Sequence, residues 1–193
     1  MRRAPRGGVL GLVVSALLSA MLGATLSGCL MSQYLAQAGH GQLELLGKAK
    51  PIDEIVRDPD TPLRTALMLS EIPAIKAYGR GYGLSIRRNY NKYVILGRPA
   101  AVWFVGAADP VAFKPRRWCF PIVGCFAGLG WFDEDDAVQH KLALEKAGYD
   151  AIVRPAGAYS TGGWFPDPVM SSMLGGGDDA FPSLANVILH ESV

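Results

Sequence analysis

The sequence has no stripe of lysine and arginine residues such as a nucleic-acid-binding surface needs. After the N-terminal Arg2–Arg3, its adjacent basic residues, Arg87–Arg88 and Arg116–Arg117, are isolated pairs. Clustered Lys and Arg side chains supply most of the affinity for a phosphate backbone. We therefore expect no nucleic-acid partner.

Charged residues are also missing from Gly7 to Gly28, directly after the basic residues Arg2, Arg3 and Arg6. A cationic start followed by an apolar stretch is typical of an export signal that is later removed. One alternative is an uncleaved membrane helix, since about 20 apolar residues can span a bilayer. An unlipidated secreted protein is a further alternative.

The apolar stretch ends in Leu26-Ser27-Gly28-Cys29, the pattern of a bacterial lipoprotein signal. The Cys29 thiol takes a diacylglycerol, and the peptidase needs small residues before it to cut the chain. Residues 1–28 are thus predicted to be a signal peptide, and the acylated Cys29 to hold the protein on a lipid membrane of the cell envelope, on the periplasmic side. Leu30 replaces the Asp associated with inner-membrane retention, which favours the outer membrane.

Removal of residues 1–28 takes away three arginines and no acid, leaving 16 basic and 17 acidic residues and a formal charge of −1. The basic pI of the whole chain therefore comes mostly from the signal peptide. The remaining 165 residues are enough to bury a hydrophobic core, and no repeat or low-complexity linker divides them. We expect one domain over residues 29–193.

Cysteines are few, and only Cys119 and Cys125 remain once Cys29 is acylated. Exported proteins fold in an oxidising compartment, where a pair of cysteines is expected to form a disulfide. Pro121 and Gly124 lie between them and allow the chain to turn back. A metal-binding pair is the alternative, but no second cluster of Cys or His lies nearby in the sequence.

Hydrophobic periodicity predicts helices on either side of a group of short strands. Helices are predicted over residues 31–48, Ile52–Ile55, from Thr61 with an apolar face of Leu63, Leu67, Ile72 and Ile75, over Asp133–Ala147, Pro168–Leu174, and from Pro182 onward. Strands are predicted over Tyr93–Leu96, Ala101–Val105, Tyr149–Arg154 and Ala158–Trp164, with a hairpin around the cysteines in residues 118–132. The predicted class is α+β, with N-terminal helices and a small central sheet that includes the Cys-bearing hairpin.

The last four residues, His190 to Val193, match the first four positions of the H-E-x-x-H motif. On a helix, this motif places two imidazoles on one face, where they bind Zn²⁺, and the Glu acts as general base. A His-Glu pair alone is also what a polar helix end in solvent would carry.

Several segments together resemble a family of bacterial predicted aminopeptidases. These segments are Gly41–Leu46, Pro51–Glu54, Trp118–Pro121, Gly124–Cys125, Tyr159–Phe165, Asp167–Pro168 and Ser172–Leu174. In that family a helix bearing H-E-x-x-H follows the Trp-Phe segment, which is about where His190 falls. The resemblance extends over roughly residues 34–193.

The resemblance implies that His190 is the first zinc ligand and Glu191 the general base, at the start of the metal-binding helix of a zincin-like domain. The family's second His and downstream acidic ligand are not in this sequence. We therefore expect residues 29–193 to be the N-terminal part of a C-terminally truncated domain, which binds zinc weakly and hydrolyses no peptide. His40 and His140 lack helical spacing to His190, and we interpret both as solvated helix residues.

Two functions remain open at this stage: a fragment of a zinc-dependent aminopeptidase, or a non-catalytic envelope lipoprotein with a binding or structural role. The segment Tyr159–Trp164 is similarly open, because it could pair with a peptide substrate as an added strand or form a Gly-bearing turn. The codon after Val193 separates the two functions. A His codon there in any frame, followed later by an acidic zinc ligand, supports the peptidase, and a genuine stop codon supports the non-catalytic lipoprotein.

Replacing Cys29 by Ser should abolish both lipidation and cleavage before residue 29, because the thiol accepts the lipid and the lipidated residue marks the cut. Detergent partitioning and the mass of the N-terminal peptide, measured in a bacterial host, check this. Cleavage of Cys29→Ser after Gly28 at the normal rate would show that the lipoprotein interpretation is wrong.

Overall fold

The computed structural model describes residues 30–86, 88–112, 114–120, 124–161, 165–175, 177 and 179–191. The predicted signal peptide and Cys29 lie outside these residues. The chain divides into two compact units, Met1–Gly39 and His40–Val193, and the described residues of the first, 30–39, are all helical. In the described ranges, no helix combines the length and apolar character that crossing a membrane requires.

The chain forms a mixed α+β fold, as predicted. The helices are α1 (residues 30–48), α2 (Ile52–Arg57), α3 (Leu63–Ser70), α4 (Ile72–Gly81), α5 (Glu134–Lys146) and α6 (Ala180–His190), with a 3₁₀ helix at Ser171–Leu174. The strands are β1 (Lys50–Pro51), β2 (Lys92–Val94), β3 (Val102–Ala108), β4 (Trp118–Phe120), β5 (Gly124–Phe126), β6 (Gly128–Trp131), β7 (Asp150–Ala156) and β8 (Val169–Met170).

Within the described residues, the strands form three small sheets in place of the single central sheet that the sequence suggested. Their orders are β1-β2-β8, β6-β3-β7 and β4-β5. In the second sheet β3 pairs antiparallel with both neighbours, and α5 packs on β3 and β7. The Asp133 carboxylate accepts a hydrogen bond from the Asp136 N–H at 3.1 Å and so caps the start of α5.

The helix predicted from Thr61 is in fact two helices, α3 and α4, that meet at Glu71. Pro73 lies in the first turn of α4. Because proline has no N–H, it cannot donate to the carbonyl of Leu69 as a continuous α-helix would require. The break therefore follows from the sequence, at a residue that the periodicity alone did not take into account.

Half of the predicted apolar face is wrong, because Leu67 and Ile72 are five residues apart and do not lie on the same side of a helix. Leu63 and Leu67 are 75% and 58% exposed, while Ile72 and Ile75 are buried as predicted. Met68 and Leu69 are the residues by which α3 enters the core. They belong to the main hydrophobic cluster, which also contains residues of β2 and β8 and the buried side of α6.

The interpretation of Ala158–Trp164 as a strand is wrong for its described part, since residues 158–161 have no regular structure and 162–164 lie outside the described residues. The helix predicted for Pro168–Leu174 is half correct. Val169 and Met170 form β8, which pairs parallel with β2, and the 3₁₀ helix follows directly.

A close approach explains one of the glycines within α1. A Cβ built on Gly41 would lie 2.3 Å from two ring carbons of Phe132, far inside contact distance. Glycine lowers helix stability by about 1 kcal/mol relative to alanine. At this position it allows an aromatic ring to pack directly against the helix backbone.

The disulfide between Cys119 and Cys125 is confirmed. It joins directly opposite residues of the β4–β5 hairpin, in which Trp118 pairs with Phe126 and Phe120 with Gly124. The metal-pair alternative for these two cysteines is thereby set aside.

Replacing both Cys119 and Cys125 by Ala should lower the free energy of unfolding by about 2 kcal/mol, because a disulfide over a short loop removes a modest unfolded-state entropy. Urea titrations with and without reductant check this. Reductant should destabilise the wild-type protein and leave the double variant unchanged. Alkylation of both thiols in the folded protein without reductant would contradict the disulfide.

Candidate functional site

The helix that carries the His-Glu pair is present, and its apolar side is buried. Leu184 and Ile188 of α6 are fully buried, and the helix packs against α4 and the 3₁₀ helix. His190 is the last residue of α6 and is exposed, whereas Glu191 is half-buried. The Glu191 N–H donates to the carbonyl of Val187 at 2.9 Å, so helical hydrogen bonding continues to this residue.

A glycine on α4 determines how closely α6 approaches at this end. A Cβ on Gly79 would lie 2.8 Å from a methyl carbon of Leu189 and 2.5 Å from one of Ile86. Only a residue without a side chain lets both methyl groups occupy these positions. Leu189, the residue before His190, therefore packs directly against the backbone of α4.

The described residues do not form a complete zinc site. In the part of the chain that the structure describes, no three His, Cys, Asp or Glu residues are grouped so that they could hold a metal ion. A catalytic zinc needs about three protein ligands and an open position. His190 supplies one exposed imidazole, so these residues alone do not fit the metal.

His40 is exposed, as expected, but the interpretation of His140 as a solvated residue is wrong. His140 is 5% exposed, and its Nδ1 accepts a hydrogen bond from the Trp131 indole N–H at 3.0 Å. Burial, together with the nearby Arg116 charge, lowers the pKa of His140 to about 4. His140 is therefore a neutral core residue on the inner side of α5.

Asp167, a residue not among those predicted from the sequence to be functional, carries a buried carboxylate and is 2% exposed. Its two oxygens accept hydrogen bonds from the Ser160 hydroxyl at 3.2 Å, the Thr161 N–H at 3.2 Å and the Thr161 hydroxyl at 2.8 Å. The Thr161 hydroxyl also accepts from the Phe165 N–H at 3.1 Å. Asp167 therefore holds Ser160 and Thr161, and Thr161 in turn holds Phe165; we call these four residues the Asp167 turn.

Asp167 is also anchored through its own backbone. Its N–H donates to the side-chain oxygen of Asn89 at 3.2 Å, and its carbonyl accepts from the Tyr90 N–H at 2.7 Å. Burial raises the pKa of Asp167, and the hydrogen bonds from Thr161 and Ser160 partly offset this rise. The sequence does contain a signal for this turn: the hydroxyl residues Ser160 and Thr161 are followed closely by Asp167-Pro168.

These contacts support the turn interpretation of Tyr159–Trp164 for its described residues. The Ser160 hydroxyl and the Thr161 N–H and hydroxyl bond to the Asp167 carboxylate. A substrate-pairing role for this segment remains a hypothesis.

A protein-family model described as "Putative aminopeptidase" matches residues 33–193. The match includes α6, the Asp167 turn and the disulfide hairpin. We found no significant match to the chain among curated proteins or among solved structures.

Replacing Asp167 by Asn should destabilise the protein less as the pH rises. A raised carboxyl pKa means that the folded state favours the neutral form of Asp167. Its contribution to the free energy of unfolding is therefore fully present below the pKa of the unfolded state, and it is lost as the pH rises through the pKa of the folded state. Each unit of that difference corresponds to about 1.4 kcal/mol.

Urea unfolding of wild type and Asp167→Asn between about pH 3 and pH 7 measures this difference. The exposed Asp60, replaced by Asn, is the matched control and should show no comparable trend. An Asp167→Asn effect that is the same at all pH values would refute the explanation.

Proposed function

The chain belongs to the family described as "Putative aminopeptidase", and from this membership we propose that it is part of a zinc-dependent aminopeptidase of the bacterial cell envelope, anchored through acylated Cys29. The observation that carries the proposal is the family match, which runs through the helix ending in His190 and Glu191. Peptides with a free N-terminus are the proposed substrates.

We assign His190 the role of first zinc ligand. Its imidazole is exposed at the end of a helix whose other side is buried, so a metal ion can reach it without unfolding the core. The close packing of Leu189 against Gly79 limits movement of the last turn of α6. Limited movement matters because zinc affinity depends on ligands held in fixed geometry.

Glu191 is the proposed general base. It follows the proposed ligand directly, as the H-E-x-x-H pattern requires, and it is half-buried. A zinc ion held by His190 together with further ligands would supply a bound water of lowered pKa and a positive charge for the carbonyl of the scissile peptide. The Glu191 carboxylate would take the proton of the attacking water and pass it to the leaving amine.

Residues 1–193 by themselves are proposed to bind zinc weakly and to show no turnover. Their described part presents one candidate ligand, and a metal ion held by a single imidazole has neither the affinity nor the fixed geometry that catalysis needs. Peptidase activity therefore requires further ligands outside the described residues.

The experiment uses the longest natural chain that contains residues 1–193, alongside residues 1–193 alone. Zinc content and hydrolysis of aminoacyl-p-nitroanilides are measured on both. Glu191→Gln in the longer chain should keep its zinc and lose roughly 10²–10⁴-fold in rate, which is the usual contribution of a general base. His190→Ala should lose both zinc and activity.

Glu54→Gln is the matched control, since Glu54 is an exposed carboxylate on α2. It should leave zinc content and rate unchanged. Stoichiometric zinc and chelator-sensitive turnover in residues 1–193 alone would show that the ligands lie elsewhere. A longer chain that has neither zinc nor activity would favour the non-catalytic envelope lipoprotein.

A further inference from the structure

A second site of interest is an open cavity of about 510 Å³ between α2, α4 and the residues just before β2. Ile52, Val56 and Ile72 contribute an apolar wall, and Lys76 and Arg80 of α4 contribute two positive charges. Ligand-binding pockets in proteins commonly have volumes of about 300–1,000 Å³ and combine apolar walls with a few polar groups.

Lys76 is unusual because it is a cation only 6% exposed. Its ammonium donates to the carbonyl of Asn89 at 2.6 Å and to the side-chain oxygen of Asn91. An ammonium group has three N–H donors, so one remains for a further acceptor. Burial and then the charge of Arg80 lower the pKa of Lys76, which indicates that the two cations are close enough to repel.

The positive charges of this cavity are not neutralised by the described residues. No described carboxylate lies within ion-pair distance of Lys76 or Arg80. Asp53, the acid that lines the cavity, is paired with Arg57. Buried or crowded charges are normally paired, because leaving them unpaired costs free energy.

The backbone beside the cavity is strained. Tyr90, which lines it, has a φ of 58° in the left-handed region, where a large side chain is rarely found. The carbonyl of Asp167 holds this conformation by accepting the Tyr90 N–H. Strain of this kind persists only where surrounding contacts impose it, and it is concentrated at binding sites.

We propose that this cavity binds a small carboxylate with an apolar substituent, in which the carboxylate bonds to Lys76 and Arg80 and the substituent lies on the wall formed by Ile52, Val56 and Ile72. The anion supplies the missing counter-charge and accepts the third N–H of Lys76. The site is separate from the proposed peptidase chemistry, and the inference does not depend on it.

Isothermal titration calorimetry of the full chain in detergent, with N-acetyl-leucine and its neutral match N-acetyl-leucinamide, tests the site. The carboxylate should bind at least about tenfold more tightly than the amide, the size expected of a charge-assisted hydrogen bond. Acetate, which lacks the apolar substituent, should bind more weakly than N-acetyl-leucine. Equal binding of acid and amide, or no binding of the acid, would overturn the proposal.

Two variants separate binding from folding. Lys76→Gln should weaken N-acetyl-leucine binding by about tenfold or more, but it also removes the contacts to Asn89 and Asn91. Arg80→Gln removes an exposed charge and should weaken binding while the protein stays folded by circular dichroism. Lys146→Gln on α5, outside the cavity, is the matched control. Arg80→Gln binding that equals that of Lys146→Gln would reject the assigned contacts.

Discussion

The position of the proposed metal-binding residue depends on the contact between α4 and α6 at Gly79. The methyl groups of Leu189 and Ile86 occupy the space that any side chain at Gly79 would need. Burial of Leu184 and Ile188 fixes which side of α6 faces the core. Because α6 ends at His190, the contact of Leu189 with Gly79 and the burial of Leu184 and Ile188 together determine where the His190 imidazole lies on the surface.

The elements predicted best are those whose ends are encoded locally. For α5, acids in the first turn, lysines later and a following Gly148 predicted bounds within one residue of those observed, and the structure adds Asp133 as the N-terminal cap. The errors occur where contacts between residues separated in the sequence determine the local structure. The apolar and aromatic residues after Ala158 suggested a strand, but the hydrogen bonds of Ser160 and Thr161 go to the buried carboxylate of Asp167.

Sequence patterns could identify only the part of the candidate sites that has a motif. His190 and Glu191 match a known spacing and were found on that basis. Asp167 and Lys76 are single charged residues, and their importance comes from burial, which no motif records. Helical spacing did contain a signal for Lys76, because it follows the buried Ile72 by four residues and therefore falls on the same face of α4.

One helix, α4, connects the cavity, the Asp167 turn and the end of α6. The carbonyl of Asn89 accepts from Lys76, while its side-chain oxygen accepts from the Asp167 N–H, so this single residue joins the cavity to the turn. Gly79 follows Lys76 by less than one turn of α4, and Leu189 packs directly against it. Lys76 therefore lies on the helix that contacts the end of α6, and it bonds to Asn89, which in turn bonds to Asp167. The buried cation is accordingly part of the framework that positions the proposed metal ligand, as well as the main polar group of the cavity.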